Sequence, residues 1–317
     1  MTIHIIGTVN GLTNEGMRNV ATHIARCFEK EHTVLYSSLK AIVAVCRNAR
    51  KADVTLVFAR ANRQVYWLMR LVEHLCKNTW LVCVQQPMDE FLERNTKHPL
   101  RCRYLYLSEG DMQNIPVQKR YHFPVGIDTQ KFVPADDGTR VELKKKYGLR
   151  TDCPAVVHVG HCSSGRGLDA FFSLDREKYE RLVVASGMFE DADVSARLEA
   201  DGVRIHRGYL EHIEEIYQLA DIYLFPTQNN EYVISIPLSV MEALACGTPV
   251  VGFKQFGNLA QIDCVDGSMS LISSAAELPG AIQDLACVDR SHSLLVNGQS
   301  WQDSANSILN TIRSATL

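Results

Sequence analysis

Apolar positions follow two rhythms along this chain. Short β-branched runs alternate with stretches whose apolar residues recur every three or four positions. In the first half this predicts strands at 3–9, 33–36, 54–59, 79–84, 104–107 and 121–123, with helices at 16–30, 38–50, 63–77 and 89–95. A turn-rich connector, FPVGIDTQKFVP, and a basic helix at 141–147 interrupt the pattern, which then restarts. The second half reads as strands at 155–160, 181–185, 203–206, 222–225, 248–252 and 270–272, with helices at 168–175, 191–200, 213–219 and 237–246. A last helix, 301–312, opens on an aromatic anchor, Trp301. Alternation of this kind predicts an α/β protein made of two Rossmann-like doubly wound domains, at 1–134 and 135–299. Ligands of such sheets bind beyond the carboxyl ends of the strands, so the expected arrangement is two domains facing across a cleft.

One segment carries more than pattern: IPLSVMEALACGTPVV, residues 236–251. Pro237 suits the first turn of a helix, Gly247 ends it, and Pro249 delivers the chain into the next strand. Within this apolar helix Glu242 is a lone carboxylate. It either faces solvent or meets a fixed partner, because an unpaired buried charge is costly.

Composition narrows the classes. The chain has 317 residues, 46% apolar and 22% charged, the balance of a soluble globular protein, and no apolar run long enough to span a bilayer. Met1 leads straight into a strand without signal-peptide character. Ten cysteines without CxxC spacing argue for reduced, cytoplasmic thiols. The net charge of −3 conceals an asymmetry: residues 1–150 hold 23 Lys and Arg against 14 Asp and Glu, and residues 151–317 hold 10 against 22. The basic half suits an anionic partner; with no nucleic-acid signature, a membrane surface is the preferred one, met through Arg94, Lys97, Arg101 and Arg103. Attraction between the two halves, or a plain solvated face, explains the same charges.

Candidate chemistry concentrates at HVGHCSSGRGLD, residues 158–169. A strand ending at Gly160, a Gly/Ser loop with Gly165, and a helix start offer backbone N–H groups to an anion, and Arg166 adds a fixed cation. Phosphate or diphosphate is the natural guest. Arg166 and Gly167 stand where a Walker A loop needs Lys and Ser/Thr, which excludes that ATPase motif. His158, His161 and Cys162 lack a distant fourth ligand, so no metal site is expected. Glu231 lies in the polar loop PTQNNEYV beyond a strand end, and Ser235 and Ser239 open the helix that carries Glu242. A carboxylate there can accept two hydrogen bonds from a ribose diol. Phosphate, ribose and a sugar-facing loop together describe a nucleotide-sugar.

In order and spacing, FPVGIDTQKFVP, HVGHCSSGRGLD, GYLEHIEEIYQLADIYLFPT, IPLSVMEALACGTPVV and GNLAQIDCVDGSMSLI resemble the donor half of family four retaining glycosyltransferases (glycosyl transferases group 1), which have the GT-B fold. The resemblance implies that Glu242 holds the ribose, with Leu238 beside it, and that Gly208, Tyr209 and Leu210 flank the base. It also implies that His161 and Arg166 neutralise the diphosphate, and that the helix at 300–317 returns to the first domain. Ile234 stands where the family carries a second Glu facing the donor sugar, and Glu231 is the substitute expected. On the acceptor side, Gly11 and Gly16 resemble the family's Gly-rich loop, and Gln85 and Gln86 occupy the place of its usual His.

The expectation is a metal-independent, retaining hexosyltransferase with Arg166, His161 and Glu231 as catalytic groups. It needs no cofactor besides its UDP- or GDP-sugar donor, and its acceptor is a glycan or lipid-linked sugar of cell-envelope polysaccharide or glycolipid synthesis. The expected location is cytoplasmic, peripheral on the membrane, with no nucleic-acid partner. Two alternatives are a donor-binding subunit with impaired catalysis and a nucleotide-sugar epimerase of the same fold.

Overall fold

A computed structural model describes residues 1–9, 16–230 and 233–316, leaving aside the side chains of 186–189 and 316. The chain divides into two compact units. The first comprises Met1–Gly126, Val233–Ile236 and Gln299–Leu317, and the second Ile127–Tyr232 and Pro237–Gly298. The first unit therefore ends at Gly126, eight residues before the expected boundary, and takes in a short internal segment that the sequence pattern assigned to the second.

In the first unit the strands are β1 (Thr2–Ile6), β2 (Thr33–Ser37), β3 (Val54–Phe58), β4 (Thr79–Cys83), β5 (Arg103–Tyr106) and β6 (Arg120–His122). They form one parallel sheet in the order β2-β1-β3-β4-β5-β6. Between them run α1 (Gly16–Glu29), α2 (Ile42–Ala49), α3 (Arg63–Leu75) and α4 (Asp89–Lys97). Right-handed crossovers send α1 to one face and α2, α3 and α4 to the other. Val45, Val65, Met69, Val72 and Phe91 close the second face. On the first, α1 lies against the C-terminal helix Trp301–Thr316. Trp301 stacks on His23 at 4.7 Å, and Ser304 Oγ donates to the Pro124 carbonyl at 2.6 Å. Gly126 allows this approach, since a Cβ there would lie 2.7 Å from the Trp301 backbone. His4 is fully buried, and desolvation lowers its pKa to about 4, so it is neutral, with Nε2 2.9 Å from Ser37 Oγ.

The second unit repeats the plan with a different order. Its strands β7 (Ala155–Cys162), β8 (Glu180–Glu190), β9 (Arg204–Arg207), β10 (Ile222–Phe225), β11 (Val250–Phe253) and β12 (Met269–Ile272) lie parallel as β12-β11-β10-β7-β8-β9. Its helices are α5 (Asp137–Lys146), α6 (Ala192–Ala200), α7 (Glu214–Leu219), α8 (Leu238–Ala245) and α9 (Leu278–Leu285). Each predicted strand forms within a few residues of its expected place.

The helices differ more. The expected helix at 168–175 is a 3-10 turn, Leu168–Ser173. Arg181 draws off the Phe171 and Leu174 carbonyls, at 3.3 and 3.1 Å, which an α-helix would need to continue. Pro237 is not in the first turn of α8 but is its extended N-cap (φ −67°, ψ 117°). The sequence pattern missed α9, although Ser274 and Glu277 form a capping box just before it.

A charged hub ties the second unit together at the start of β10. Asp221 accepts from Lys144 Nζ at 2.6 Å, Arg290 at 2.7 Å and the Ala155 N–H at 2.8 Å. It thereby joins α5, β7 and the chain after α9. Burial alone would raise its pKa; Lys144, the Ala155 N–H and Arg290 outweigh burial and hold it below 3.8. A carboxyl with a depressed folded pKa stabilises above its unfolded value and ceases to do so as pH falls through the folded one. Asp221→Asn is therefore expected to lose about 3–5 kcal/mol in neutral urea titrations, because buried Lys144 and half-buried Arg290 lose their anion. That gap should close as pH drops below 3.8. A gap that persists in acid would exclude the hub as its source.

Candidate active site

The strand order of the second unit turns around between β7 and β10, so connections leave these neighbours toward opposite faces and open a crevice at their carboxyl ends. After β7 comes a 3-10 turn, Ser164–Arg166, with Gly165 at its centre. Gly167 then adopts a left-handed conformation (φ +67°), and a Cβ there would sit 2.4 Å from the Pro226 carbonyl oxygen. Only glycine lets the loops after β7 and β10 meet this closely. The turn brings Arg166 inward to 7% exposure. Burial lowers its pKa from the ordinary guanidinium range and Tyr223 opposes that shift, yet a guanidinium stays charged at neutral pH. His161, on the last stretch of β7, is half-buried.

Beneath this loop a column of rings leads to Glu242. His158 is fully buried on β7, and its Nδ1–H donates to the Leu224 carbonyl at 3.0 Å. Burial first, then nearby Arg166, lowers its pKa to about 3, so it is neutral with Nε2 a bare acceptor. That nitrogen lies under Gly160, where a Cβ would come within 2.9 Å. The His158 ring stacks on Tyr223 at 6.2 Å, and Tyr223 meets Tyr217 edge-on at 5.6 Å. Tyr223 donates to the Val159 carbonyl at 3.2 Å and lies within hydrogen-bond reach of Ser239. Tyr217 donates to Glu242 Oε2 at 2.9 Å. Burial raises the half-buried Glu242 carboxyl to about 7, against the lowering effects of Tyr217 and Lys131. So Glu242 has a fixed partner. One turn of α8 separates it from half-buried Ser239, while Leu238 points into the core.

Thr227 Oγ1 and Asn230 Oδ1, in the loop after β10, are buried without a hydrogen-bond partner. Such atoms are rare unless a ligand or water completes them. A fixed cation, a tuned carboxyl and orphan polar atoms thus converge beyond two adjacent strand ends. Among the described residues no group of His, Cys, Asp and Glu is gathered as a metal site.

Gly208 follows edge strand β9 with φ +103°, Tyr209 is 47% exposed, and Leu210 rests on the core beneath β7 and β8. Ser235 belongs to the first unit, where its N–H donates to the Val84 carbonyl at 2.8 Å and its hydroxyl donates to buried Asp111. Its hydroxyl is therefore occupied by protein rather than placed at the start of α8. Ile234 also lies in the first unit, and its side chain comes within 3.0 Å of where Gly16 would carry a Cβ. Gln85 is half-buried at the end of β4, whereas Gln86 is exposed. Gly11 and Glu231 lie outside the described residues. In the basic patch, Arg103 is held by the Ala315 carbonyl at 2.7 Å and by the Trp80 ring at 5.5 Å, which gives it a structural task. Sequence reasoning weighed His158 only as a metal ligand and missed Tyr217, Tyr223 and Thr227. The one signal for the tyrosines was an aromatic hydroxyl inside an otherwise apolar helix or strand run, and Thr227 had none beyond its place after a strand end.

Residues 165–287 match the family model for glycosyl transferases group 1. The alpha-galactosylglucosyldiacylglycerol synthase of Streptococcus pneumoniae is 24% identical over 46% of this chain and 41% of its own length. A D-inositol 3-phosphate glycosyltransferase of Xylanimonas cellulosilytica is 32% identical over 40% of this chain and 33% of its own. The chain thus spans well under two thirds of these relatives. Among solved structures, HepE of Anabaena in complex with UDP and glucose superposes with a TM-score of 0.78 at 13% identity, covering 98% of this chain and 99% of that one. The likeness shows the fold, two Rossmann-like units of the GT-B type.

The raised carboxyl carries a pH signature of its own. A group whose folded pKa exceeds its unfolded value stabilises fully below the unfolded value and ceases to as pH rises through the folded one. For Glu242 that window runs from 4.5 to about 7. Relative to Glu242→Gln, the parent is expected to lose stability on the order of 1–3 kcal/mol across it. Parallel denaturation curves for the two proteins across the window would contradict the buried carboxyl.

Proposed function

We propose that the protein is a retaining glycosyltransferase that moves a hexose-type sugar from a UDP- or GDP-linked donor to a glycan or lipid-linked acceptor of the cell envelope. One observation carries this reading: Arg166, buried just after β7, and Glu242, held by Tyr217 at the end of the ring column that starts at His158, both fall inside the segment that matches the family model. Arg166 is the group for the diphosphate. Its buried guanidinium needs no reorganisation as negative charge grows on the leaving group, the condition under which electrostatic stabilisation is strongest. His161 and the N–H groups of the turn add donors. Glu242, with one oxygen on Tyr217, keeps the other for the ribose diol. With cationic and backbone groups in these roles, the chemistry has no need of a bound metal.

HepE was solved with UDP and with UDP-glucose, and the two relatives named above carry a glycolipid and an inositol phosphate in their names. These support a nucleotide-sugar donor and a polar-headed acceptor here. A direct test measures melting temperature with UDP-glucose and GDP-mannose, then release of free nucleoside diphosphate once an acceptor is supplied. Glu242→Ala should weaken nucleotide binding about tenfold or more, and Arg166→Ala should cut turnover about a hundredfold while leaving the fold intact. Nucleotide binding unaffected by Glu242→Ala, or turnover unaffected by Arg166→Ala, would overturn the respective role.

We also propose peripheral contact with anionic membrane through the first unit. Among the described residues no helix is long and apolar enough to cross a bilayer. On neighbouring helices α2 and α3, however, Ile42, Val43, Trp67 and Leu71 are exposed, Val43 by 84%, and the Arg94 guanidinium lies 6.0 Å from the Trp67 ring centroid. Exposed apolar side chains with a guanidinium at their edge suit a headgroup layer. Vesicle sedimentation should show binding that needs phosphatidylglycerol and falls in Trp67→Ser; equal binding to neutral vesicles would count against this face.

A further inference from the structure

Tyr217 grips the surroundings of α8 at two points. It lies near the end of α7 at 1% exposure, and its phenol donates to Glu242 Oε2 at 2.9 Å. Its carbonyl accepts from Thr248 Oγ1 at 2.6 Å, just beyond the glycine that follows α8, and Thr248 is fully buried. Between these points the ring is set edge-on against Tyr223 at 5.6 Å and Phe132 at 5.9 Å. A phenol clamped at its backbone and on its ring has little freedom to follow a carboxylate, so the phenol directs the carboxylate. Among the described residues it is the one hydrogen-bond partner of the Glu242 carboxyl.

α8 packs against α7, β10 and β11. Tyr217 faces Glu242 from α7, Tyr223 from β10 and Cys246 from the end of α8 itself, while β11, Val250–Phe253, brings no titratable group. Lys131, in the chain before α5, is the cation that faces it. Glu214 at 3.2 Å and the Glu211 carbonyl at 2.7 Å engage that ammonium, so it acts on Glu242 without pairing with it. Burial raises the Glu242 carboxyl to about 7, and Tyr217, ahead of Lys131, opposes the rise. A hydrogen bond donated to a carboxylate favours its charged form. Only that form accepts from both hydroxyls of a diol; once protonated, one oxygen becomes a donor.

We propose that Tyr217 is a positioning residue of the nucleotide site: by holding Oε2 of Glu242 it fixes where Oε1 meets the ribose diol and keeps the carboxyl in its accepting form. The proposal rests on the donor reading above and deepens it, by naming the group that sets nucleotide affinity and makes it depend on pH. Tyr217 needs no contact with the nucleotide and acts through Glu242. When Glu242 takes up a proton the ribose loses an acceptor, so donor affinity falls as the solution is acidified through neutrality.

Tyr217→Phe keeps the ring and the Thr248 contact and removes only the hydroxyl, and two readouts on the full chain follow it. Without ligand, the carbon-13 shift of the Glu242 carboxyl, assigned with Glu242→Gln, should titrate about one pH unit higher in Tyr217→Phe than in the parent. With ligand, UDP-glucose and GDP-mannose are titrated calorimetrically from mildly acid to mildly alkaline pH, where their diphosphate diesters do not themselves titrate. Parent affinity should rise with pH through about 7 and then level off. Tyr217→Phe should bind about tenfold more weakly at neutral pH and regain most of that loss at alkaline pH. A merely structural role would not give this recovery, because a damaged site binds weakly at every pH. The proposal is overturned if the variant's carboxyl titrates where the parent's does, or if the two affinity profiles run parallel. In either case binding of a nucleotide-sugar to the parent leaves the donor reading standing. Binding of neither nucleotide-sugar to the parent overturns the donor reading and the proposal with it.

Discussion

The handedness of parallel connections governs this molecule. A strand, a helix and a second parallel strand join with a right-handed crossover, so a sheet that grows first one way and then the other must send its connections to opposite faces. Where the direction changes, neighbouring strand ends part company. In the second unit this happens between β7 and β10 and in the first between β1 and β3. Arg166 and the ring column that ends at Glu242 both start from β7, at the first of these places. The two sheets share a principle and differ in order, and the difference moves the crevice to a different pair of loops.

Within the second unit the crevice floor is as important as its lip. A cation and a raised carboxyl in the same small volume would simply pair if they touched. Instead a neutral imidazole and two phenols form a column next to both, each tied by one hydrogen bond: His158 to Leu224, Tyr223 to Val159, Tyr217 to Glu242. The column lets Arg166 and Glu242 remain separately available to a ligand. It also explains why burial, rather than a counter-charge, dominates the pKa of both. Preorganisation here consists of keeping opposite charges apart in a site that partly excludes water.

The strands were legible because fully buried parallel strands must be nearly continuous runs of Val, Ile and Leu, and few other structures use such runs. Arg166 and Glu242 were legible because a charge in an apolar or Gly-rich segment stands out. Ser235 was not. It stands only two residues before the N-cap of α8, yet its hydroxyl is used by Asp111, more than a hundred residues earlier, and no local pattern encodes that partner. Tyr217 and Tyr223 looked like ordinary interior residues and His158 like a discarded metal ligand, and only three-dimensional stacking shows them as one column. The helix at 168–175 failed for a similar reason: a guanidinium from β8 competes for its carbonyls. Strand order was equally hidden, since alternation announces parallel sheets without saying which strand lies in the middle.

The return of the C-terminal helix to α1 has a consequence for how the protein comes to be folded. Trp301 completes one layer of a unit whose sheet is finished by His122, so nearly the whole second unit is synthesised in between. Domains that emerge intact fold as they leave the ribosome. The second unit, contiguous but for four residues, can do so. The first waits with the surface around His23 uncovered until the helix that carries Trp301 has emerged. The earlier half of the chain is therefore the later one to mature, and exposed apolar surface during that delay is where chaperones would be needed.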